Sequence, residues 1–449
     1  MTLLWALLGF VVTIGIIVAV HEAGHLLAAK ALNVKVERFS IGFGPILCKK
    51  QWGETEYAIS LVPLGGYVQM TGENGSHKPE NEEDRLRSYD AQPKHKRAII
   101  LAAGPFMNFI LAFVCYVILG AVGIPDLPTR LAAPPAQSAV AEAGLKRGDV
   151  VTEVEGTEIR GFTDLNLALV SNAGESDVSV RVDRDGTPFE TSLNLSNRSF
   201  SEAISSVLAV QLGFRPEATG PVVIVEVFPN GPAAHAGMLS GDKVLSINGK
   251  TGIGPEEFRE AVLASGDRPL QMVVANLKDD KERTITVTPV AMSLAEGEPP
   301  LPAIAVSLGQ LPEFVEVTYG PLEAIPMGVR KVWDMVRLQA KGLGQIARGE
   351  GTDQISGPVG IADMAGQAAR SGLRTLLDFV ALVSVCVGFI NLVPVPGLDG
   401  GHLFVMGLEA LRRRDFAMAT KEKLQKGGLI AVLLLMAFAI NNDITRIFG

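Results

Sequence analysis

The chain has 449 residues, 47% of them hydrophobic, and a net charge of −8, with 48 Asp and Glu against 40 Lys and Arg. This length allows several structural units, and the acidic balance argues against nucleic acid as a partner. The uncharged residues concentrate in four runs: Leu3 to Val20, Ala98 to Pro125, Phe379 to Leu398 and Gly427 to Asn442. Because a helix needs about 20 apolar residues to cross a bilayer, the sequence predicts four transmembrane helices.

Basic residues predict the orientation of these helices. Three precede the second run, and six lie between the third and fourth: Lys94, Lys96 and Arg97, then Arg412, Arg413, Arg414, Lys421, Lys423 and Lys426. Cytoplasmic loops carry the excess of Lys and Arg, so both loops are expected in the cytoplasm, with the termini and the segment from about 126 to 375 outside. Residues 126–320 contain 15 Lys and Arg against 27 Asp and Glu.

The loop between the first two runs contains β-prone residues. Residues 57–62 and 67–70 flank Pro63-Leu64-Gly65-Gly66, which predicts a hairpin that turns at these four residues. Upstream, Gly42-Phe43-Gly44-Pro45 disfavours a regular helix and indicates a backbone packed closely against a neighbour. The polar stretch from Glu73 to Arg87 predicts a mobile surface loop.

An internal repeat lies in the long outer segment. Residues 143–149 (AGLKRGD) recur as residues 236–242 (AGMLSGD), and both continue with a short β-prone stretch that ends in a glycine turn. These residues resemble PDZ domains of the bacterial protease type. The resemblance implies two α+β domains that bind extended peptides, including peptide termini, along a sheet edge.

After the repeat, apolar residues recur at helical spacing from Ile325 to Ile346, accompanied by Arg and Lys. This pattern predicts a basic amphipathic helix that lies on the lipid bilayer surface. Packing of the same helix against the second PDZ-like domain is the alternative. Gly357-Pro358 then predicts a break before a helix of small residues leading into the third span.

The most specific motif is His21-Glu22-Ala23-Gly24-His25, at the inner end of the first span. On a helix, two histidines four residues apart share one face and can bind a single zinc ion, with Glu22 beside them as a general base. Ionisable residues are costly at this membrane depth, which favours a functional site over a structural histidine pair.

A catalytic zinc site needs a third protein ligand. Spans one and three run in the same direction, so the C-terminal end of span three lies on the same side of the membrane as the histidines. Asp399 is at that end, whereas Asp378 begins the span about 30 Å away. His402 is the competitor, and Gly400-Gly401 predicts a chain break that turns it away.

Taken together, these motifs resemble the site-2 protease family. The resemblance rests on His21 to His25, on Asn391 to His402 (NLVPVPGLDGGH) and on the two PDZ-like repeats, and it covers nearly the whole chain. It implies intramembrane cleavage of single-span membrane proteins, among them anti-sigma factors and remnant signal peptides. It also implies that Asn391 contacts the substrate backbone, and that Gly42, Gly44, Gly65 and Gly66 belong to membrane-reentrant, substrate-binding elements.

The expected protein is therefore a polytopic α-helical membrane protein with four transmembrane helices, two extracytoplasmic α+β PDZ-like domains and a membrane-associated β-hairpin. It is expected in the bacterial inner membrane, with periplasmic PDZ-like domains and an active site near the cytoplasmic side. The expected boundaries are 1–125 for the first membrane unit, 126–219 and 220–312 for the PDZ-like domains, 313–375 for the amphipathic helix and linker, and 376–449 for the second membrane unit.

Two other functions remain open. One is a membrane-anchored zinc protease with an ordinary aqueous active site that acts on non-membrane peptides, in which Glu54 or Glu56 would be the third ligand. The other is a non-enzymatic scaffold that presents PDZ-like domains and binds zinc only structurally. A general base such as Glu22 has no use in a structural site, which disfavours the scaffold.

Overall fold

The computed structural model describes residues 2–73, 79–198, 207–278, 280–293, 299–349 and 357–448. The described helices are α1 (Thr2–Ala31), α2 (Glu82–Leu86), α3 (Lys94–Val122), α4 (Ala139–Glu142), α5 (Phe162–Ser171), α6 (Leu208–Leu212), α7 (Pro232–His235), α8 (Pro255–Ser265), α9 (Pro321–Ile346), α10 (Pro358–Ser371), α11 (Leu373–Leu392), α12 (Asp399–Arg412) and α13 (Met418–Phe448).

The described strands are β1 (Val36–Trp52), β2 (Thr55–Met70), β3 (Ile124–Asp126), β4 (Val150–Val154), β5 (Thr157–Glu158), β6 (Val178–Arg184), β7 (Thr187–Leu193), β8 (Val222–Val227), β9 (Asp242–Ile247), β10 (Lys250–Thr251), β11 (Leu270–Asn276), β12 (Glu282–Val287), β13 (Val290–Met292), β14 (Leu301–Ala303), β15 (Val306–Gln310) and β16 (Val315–Val317). Two compact units result, one formed by residues 1–124 with 318–449 and the other by residues 125–317.

Among the described residues, four helices of the first unit are long and apolar enough to cross a membrane: α1, α3, α11 and α13. This agrees with the four predicted transmembrane helices. The helices extend beyond the uncharged runs, since α1 continues to Ala31. The third span instead ends early, at Leu392. Pro394 and Pro396 explain the early end, because proline lacks the N–H of a helix interior and disfavours helix in the residue before it.

Small residues allow these helices to approach closely. A Cβ on Gly24 would lie 2.4 Å from the Ala103 carbonyl oxygen of α3. A Cβ on Gly9 would lie 2.4 Å from the Ala365 carbonyl oxygen of α10, so both ends of α1 pack backbone against backbone. Within a membrane, the hydrophobic effect does not drive helices together, because lipid tails are as apolar as the side chains. Close packing through small residues holds the helices together instead. The buried residues around Ile17, Tyr116 and Phe379 form the core of this bundle.

The β-hairpin of the first unit differs from the prediction. Its turn lies at Gly53 and Glu54, and residues 63–66, expected at the turn, belong to the single strand β2. Phe39 of β1 pairs with both Tyr57 and Val68 of β2, so the two long strands fold back on one another. The prediction was wrong because Pro63-Leu64-Gly65-Gly66 is only a local turn signal, while the long-range pairing with residues 36–52 decides the register.

The segment that follows is also more ordered than predicted. Within residues 79–92, Asn81 caps α2 by accepting the N–H of Asp84. Asp84 is 6% exposed and forms an ion pair with Lys35 at 2.8 Å, and Tyr89 is buried. Residues 74–78 lie outside the described residues. The described part is therefore a packed segment, because Asp84 pairs with Lys35, just before β1, and Tyr89 is buried.

The predicted amphipathic helix is α9. It packs against α3 and α11 of the first unit, with Val332 and Val336 against the buried cluster. Its other face exposes apolar side chains, among them Ile325, Val329 and Trp333. That exposed face suits a bilayer surface, which stays a prediction.

In the second unit, the two copies of the repeated sequence, residues 143–149 and 236–242, form matching hydrogen bonds. Asp149 accepts the N–H of Lys146 at 2.8 Å, and Asp242 accepts the N–H of Leu239 at the same distance. Each carboxylate is nearly fully buried and also accepts hydrogen bonds from an arginine of a later strand, Arg184 in β6 and Arg283 in β12. Each copy contributes a sheet, with strand order β5-β4-β6-β7 in the first and β12-β11-β9-β8-β15, with β10 on β9, in the second. The PDZ-like class and the boundary at 219/220 stay predictions.

Candidate active site

The two histidines lie in the last third of α1, one helical turn apart. Their rings meet edge to face with centroids 4.9 Å apart, and both residues are 8% exposed. Nδ1 of His25 lies 2.8 Å from the carbonyl oxygen of Ile100 in α3. A carbonyl only accepts, so this nitrogen donates and Nε2 of His25 keeps its lone pair.

A glycine in α3 makes room for this imidazole. A Cβ on Gly104 would lie 2.3 Å from Nε2 of His25. Any side chain at position 104 would therefore displace the ring. Nε2 of His25 therefore lies directly against the backbone of α3 at Gly104.

Asp399 meets the histidines from the opposite end of the sequence. It is the first residue of α12, which begins after the loop that follows α11. Its Oδ2 lies 3.2 Å from Nε2 of His21 and 3.5 Å from Nε2 of His25, and the two Nε2 atoms are 3.3 Å apart. The geometry agrees with the placement of Asp399 that the direction of the spans predicts.

Gly400 and Gly401 have a different role from the one predicted. They do not break the chain but form the first turn of α12. A Cβ on Gly400 would lie 2.4 Å from the Leu392 carbonyl oxygen, and one on Gly401 would lie 2.2 Å from that of Val395. The glycines therefore let the start of α12 pack onto the loop before it, which holds Asp399 near the histidines.

The predicted competitor, His402, lies near Asp399 but does not belong to the converging group. His402 lines a cavity of about 410 Å³ that also borders Asp399, Glu73 and Arg97, and burial lowers its pKa. Burial also raises the pKa of Glu73 to about 7. Among the described residues, the group of side chains with converging ligand atoms is His21, His25 and Asp399.

The two glutamates of the aqueous-site alternative are engaged in ion pairs. Glu54 pairs with Arg87 at 2.7 Å. Glu56 pairs with Arg38 at 2.7 Å and with Lys49 at 2.9 Å. Neither belongs to the converging group, so that alternative loses the third ligand it requires.

The donor set fits a zinc ion. Two imidazole nitrogens and one carboxylate oxygen lie within 4.8 Å of one another, and catalytic zinc sites commonly use three such ligands. Nε2 of His25 and Oδ2 of Asp399 are lone-pair acceptors that face each other, an arrangement that a cation stabilises.

The four glycines predicted to bind substrate differ in their neighbours. Gly66 lies beside Glu22, the predicted base, since a Cβ there would be 2.8 Å from Cγ of Glu22. Gly65 faces the Phe43 ring, and Gly42 has a φ of +93° and abuts the carbonyl oxygens of Ser60 and Val62. Gly44, with a φ of +84°, has no atom closer than 3.9 Å to a Cβ built there. Gly66 is thus the glycine that the structure brings to the catalytic motif.

Asn391 is the penultimate residue of α11. Its side chain is half-buried and makes no hydrogen bond in the part of the chain that the structure describes. Its predicted contact with a substrate backbone stays a prediction.

Sequence reasoning missed two residues of α3, Gly104 and Asn108. Asn108 is fully buried, and its Nδ2 lies 3.3 Å from Nδ1 of His21. A polar amide inside an otherwise apolar span was the available signal, because such residues are costly in a membrane unless they serve a site.

A helical membrane unit with two imidazoles, a carboxylate and an adjacent glutamate defines a membrane metallopeptidase. Comparison with known proteins agrees, because the model of peptidase family M50 matches residues 9–435. The chain belongs to this family and is a zinc metallopeptidase of the site-2 protease type.

Particular relatives align over the full length. The chain is 34% identical over 458 residues to the protease RseP of Yersinia pestis, with both chains fully covered. It is 32% identical over 457 residues to the regulator of sigma-E protease RseP of Escherichia coli K12, again with both fully covered. A relative from Ralstonia nicotianae, 34% identical with 98% of both chains covered, bears the name of a zinc metalloprotease.

Proposed function

We propose that this protein cleaves transmembrane segments of single-span membrane proteins, with His21, His25 and Asp399 as zinc ligands and Glu22 as general base. The proposal rests on the close approach of the three ligands inside a bundle of helices that are long and apolar enough to cross a membrane. Oδ2 of Asp399 lies 3.2 Å from Nε2 of His21 and 3.5 Å from Nε2 of His25. A peptide bond reaching this group must lie within or beside the membrane.

The chemistry follows from the residues present. A zinc ion held by the three ligands would act as a Lewis acid and lower the pKa of a water molecule. Glu22 accepts the proton of the attacking water and later delivers a proton to the leaving amine. The ring of His25, held by the Ile100 carbonyl, keeps its ligand nitrogen aimed at the site.

Substrate unwinding needs hydrogen-bond partners, because a transmembrane helix satisfies its own backbone groups and loses them when it opens. Strand β2 can provide them beside Glu22. Val62 and Gly66, on either side of residues 63–65, pair with Phe43 and Ile41 of β1. An unwound substrate strand can pair with this segment, and the free amide of Asn391 can hold one of its carbonyl or N–H groups.

The names of the relatives suggest the biological substrates. The Escherichia coli relative is called regulator of sigma-E protease, so anti-sigma factors are the proposed substrates, together with remnant signal peptides. The proposed location is the bacterial inner membrane, with the PDZ-like domains in the periplasm and the active site near the cytoplasmic face. The PDZ-like domains would bind peptide termini of these substrates or partners.

The test compares membrane proteins in cells that carry wild-type or Glu22→Gln enzyme, with purified protein examined for zinc. The expected result is that Glu22→Gln retains zinc and that uncut single-span fragments accumulate. A Glu22→Gln protein that cleaves at the wild-type rate would refute the role of Glu22 as general base. Cleavage of soluble peptides, with no fragment accumulating in membranes, would favour the aqueous-site alternative instead.

A further inference from the structure

Asn108 of α3 has an unusual environment for a buried amide. The residue is 0% exposed, its Nδ2 lies 3.3 Å from Nδ1 of His21, and its buried Oδ1 has no hydrogen-bond partner. Its backbone is held in place, because Oγ of Ser384 in α11 donates to its carbonyl oxygen at 2.8 Å. A buried polar atom without a partner costs free energy, so the question is which end of this amide faces His21.

The orientation of the amide determines the tautomer of His21. If Nδ2 donates to Nδ1, the proton of the neutral imidazole is on Nε2, the nitrogen that faces His25 and Asp399. A protonated Nε2 has no lone pair for a metal. The two amide orientations differ only by exchange of O and N, so hydrogen bonding decides between them.

A half-turn about the Cβ–Cγ bond of Asn108 makes Nε2 of His21 available to a metal. Oδ1 then takes the place of Nδ2 beside Nδ1 of His21 and accepts its N–H, while Nδ2 moves to the buried position that Oδ1 occupied. Nε2 of His21 becomes a lone-pair donor like Nε2 of His25. The two nitrogens and Oδ2 of Asp399 then offer three lone pairs within 3.2 to 3.5 Å of one another.

We propose that Asn108 is a positioning residue for the metal centre, whose Oδ1 accepts the Nδ1–H of His21 and fixes the metal-binding tautomer. The inference rests on the proposed function, since it assumes that His21 is a metal ligand. Helix α3 would then hold both imidazoles, His25 through the Ile100 carbonyl and His21 through Asn108, two turns apart. A partner on the second ring nitrogen commonly fixes the orientation of metal-bound histidines.

The first experiment measures zinc affinity of the full-length protein in detergent, by competition with a chelating zinc indicator. Asn108→Leu keeps the approximate shape but accepts no hydrogen bond, and we expect its affinity to fall about 10- to 100-fold. Asn108→Asp retains an acceptor, and we expect an affinity close to that of wild type. Ser384→Ala is the matched control, because it removes a buried hydrogen bond to the same residue without touching its amide.

Asp399→Ala distinguishes failure of this inference from failure of the proposed function. If Asp399→Ala binds zinc as tightly as wild type, the proposed metal site is wrong. If Asp399→Ala loses zinc while Asn108→Leu retains wild-type affinity, only the positioning role is wrong. An equal loss in Ser384→Ala and Asn108→Leu would also overturn the inference, since packing rather than the amide would be responsible.

A second measurement reads the tautomer of His21 directly, in the wild-type protein without zinc. In the zinc-free wild-type protein with ¹⁵N-labelled histidine, the His21 signal is assigned by its loss in His21→Asn. We expect its proton on Nδ1. A proton on Nε2 in wild type would refute the proposal.

Discussion

Oδ2 of Asp399 lies 3.2 Å from Nε2 of His21, although these residues come from opposite ends of the chain. Gly400 and Gly401 allow the contact, because they let α12 start against the preceding loop, and Gly104 leaves space for the other imidazole, that of His25. The proposed metal centre therefore depends on close packing at glycines as well as on its ligands.

Replacement of Asp399 should remove the metal, whereas replacement of His402 should not. Both line the same cavity, but only Asp399 offers an atom to the converging group. We expect Asp399→Ala to lower the zinc content of the purified protein by about tenfold or more, and His402→Ala to keep it. Elemental analysis after dialysis against a weak chelator measures the difference. Zinc loss in His402→Ala alone would show that the ligand is His402.

Gly104→Ala should disrupt the site without weakening its helix. A Cβ there would lie 2.3 Å from Nε2 of His25, whereas alanine by itself favours helix over glycine by about 1 kcal/mol. We expect zinc affinity and cleavage to fall by about tenfold or more. Gly15→Ala is the control, because no atom lies within 4 Å of a Cβ at this position of α1. Equal effects of the two changes would contradict the steric argument.

Gly66→Ala should separate catalysis from metal binding. The added methyl group would lie 2.8 Å from Cγ of Glu22, 2.8 Å from the carbonyl oxygen of Ser40 and 3.1 Å from Cγ1 of Val18. The proposed metal ligands are not among these nearest neighbours. We expect kcat to fall by about 10²-fold, in the range attributed to a displaced general base, with zinc content unchanged. Loss of zinc in this variant would mean that β2 supports the ligands themselves.

The pair of Asp149 and Arg184 should make the second unit sensitive to acid. Burial alone would raise the pKa of Asp149, but hydrogen bonds from Arg184 and from the N–H of Lys146 outweigh it and hold that pKa below its usual range. A carboxyl group with a lowered folded pKa stabilises the fold above its unfolded pKa of about 3.9. That stability is lost as the pH falls through the folded pKa.

Removing Arg184 tests this pair. Arg184→Leu leaves a nearly fully buried carboxylate uncompensated, and we expect a loss of about 3 kcal/mol at pH 7 that shrinks once Asp149 is protonated. Hydrogen exchange of strands β4 and β6 in the full-length chain measures it. The control is Arg147→Leu, which breaks an exposed pair with Glu217 and should change stability by less than about 1 kcal/mol. A pH-independent loss in Arg184→Leu would contradict the electrostatic explanation.

The sequence by itself determined the elements whose signals are local. Uncharged runs specified four membrane helices, since length and apolarity alone decide whether a helix can cross a bilayer. The spacing of His21 and His25 placed two ligands on one face, and the direction of the spans selected Asp399 over Asp378.

Only the tertiary structure decided the features that depend on distant backbone. The hairpin turns at Gly53 rather than at residues 63–66, because pairing with β1 sets the register of β2. Gly400 and Gly401, expected to break the chain, instead start α12. Because they have no side chain, they can lie against the backbone of Leu392 and Val395. Gly104 has no distinguishing signal along the chain, and Asn108 stands out only as an amide in an apolar span. The role of each depends on the imidazole that it faces across the helix pair.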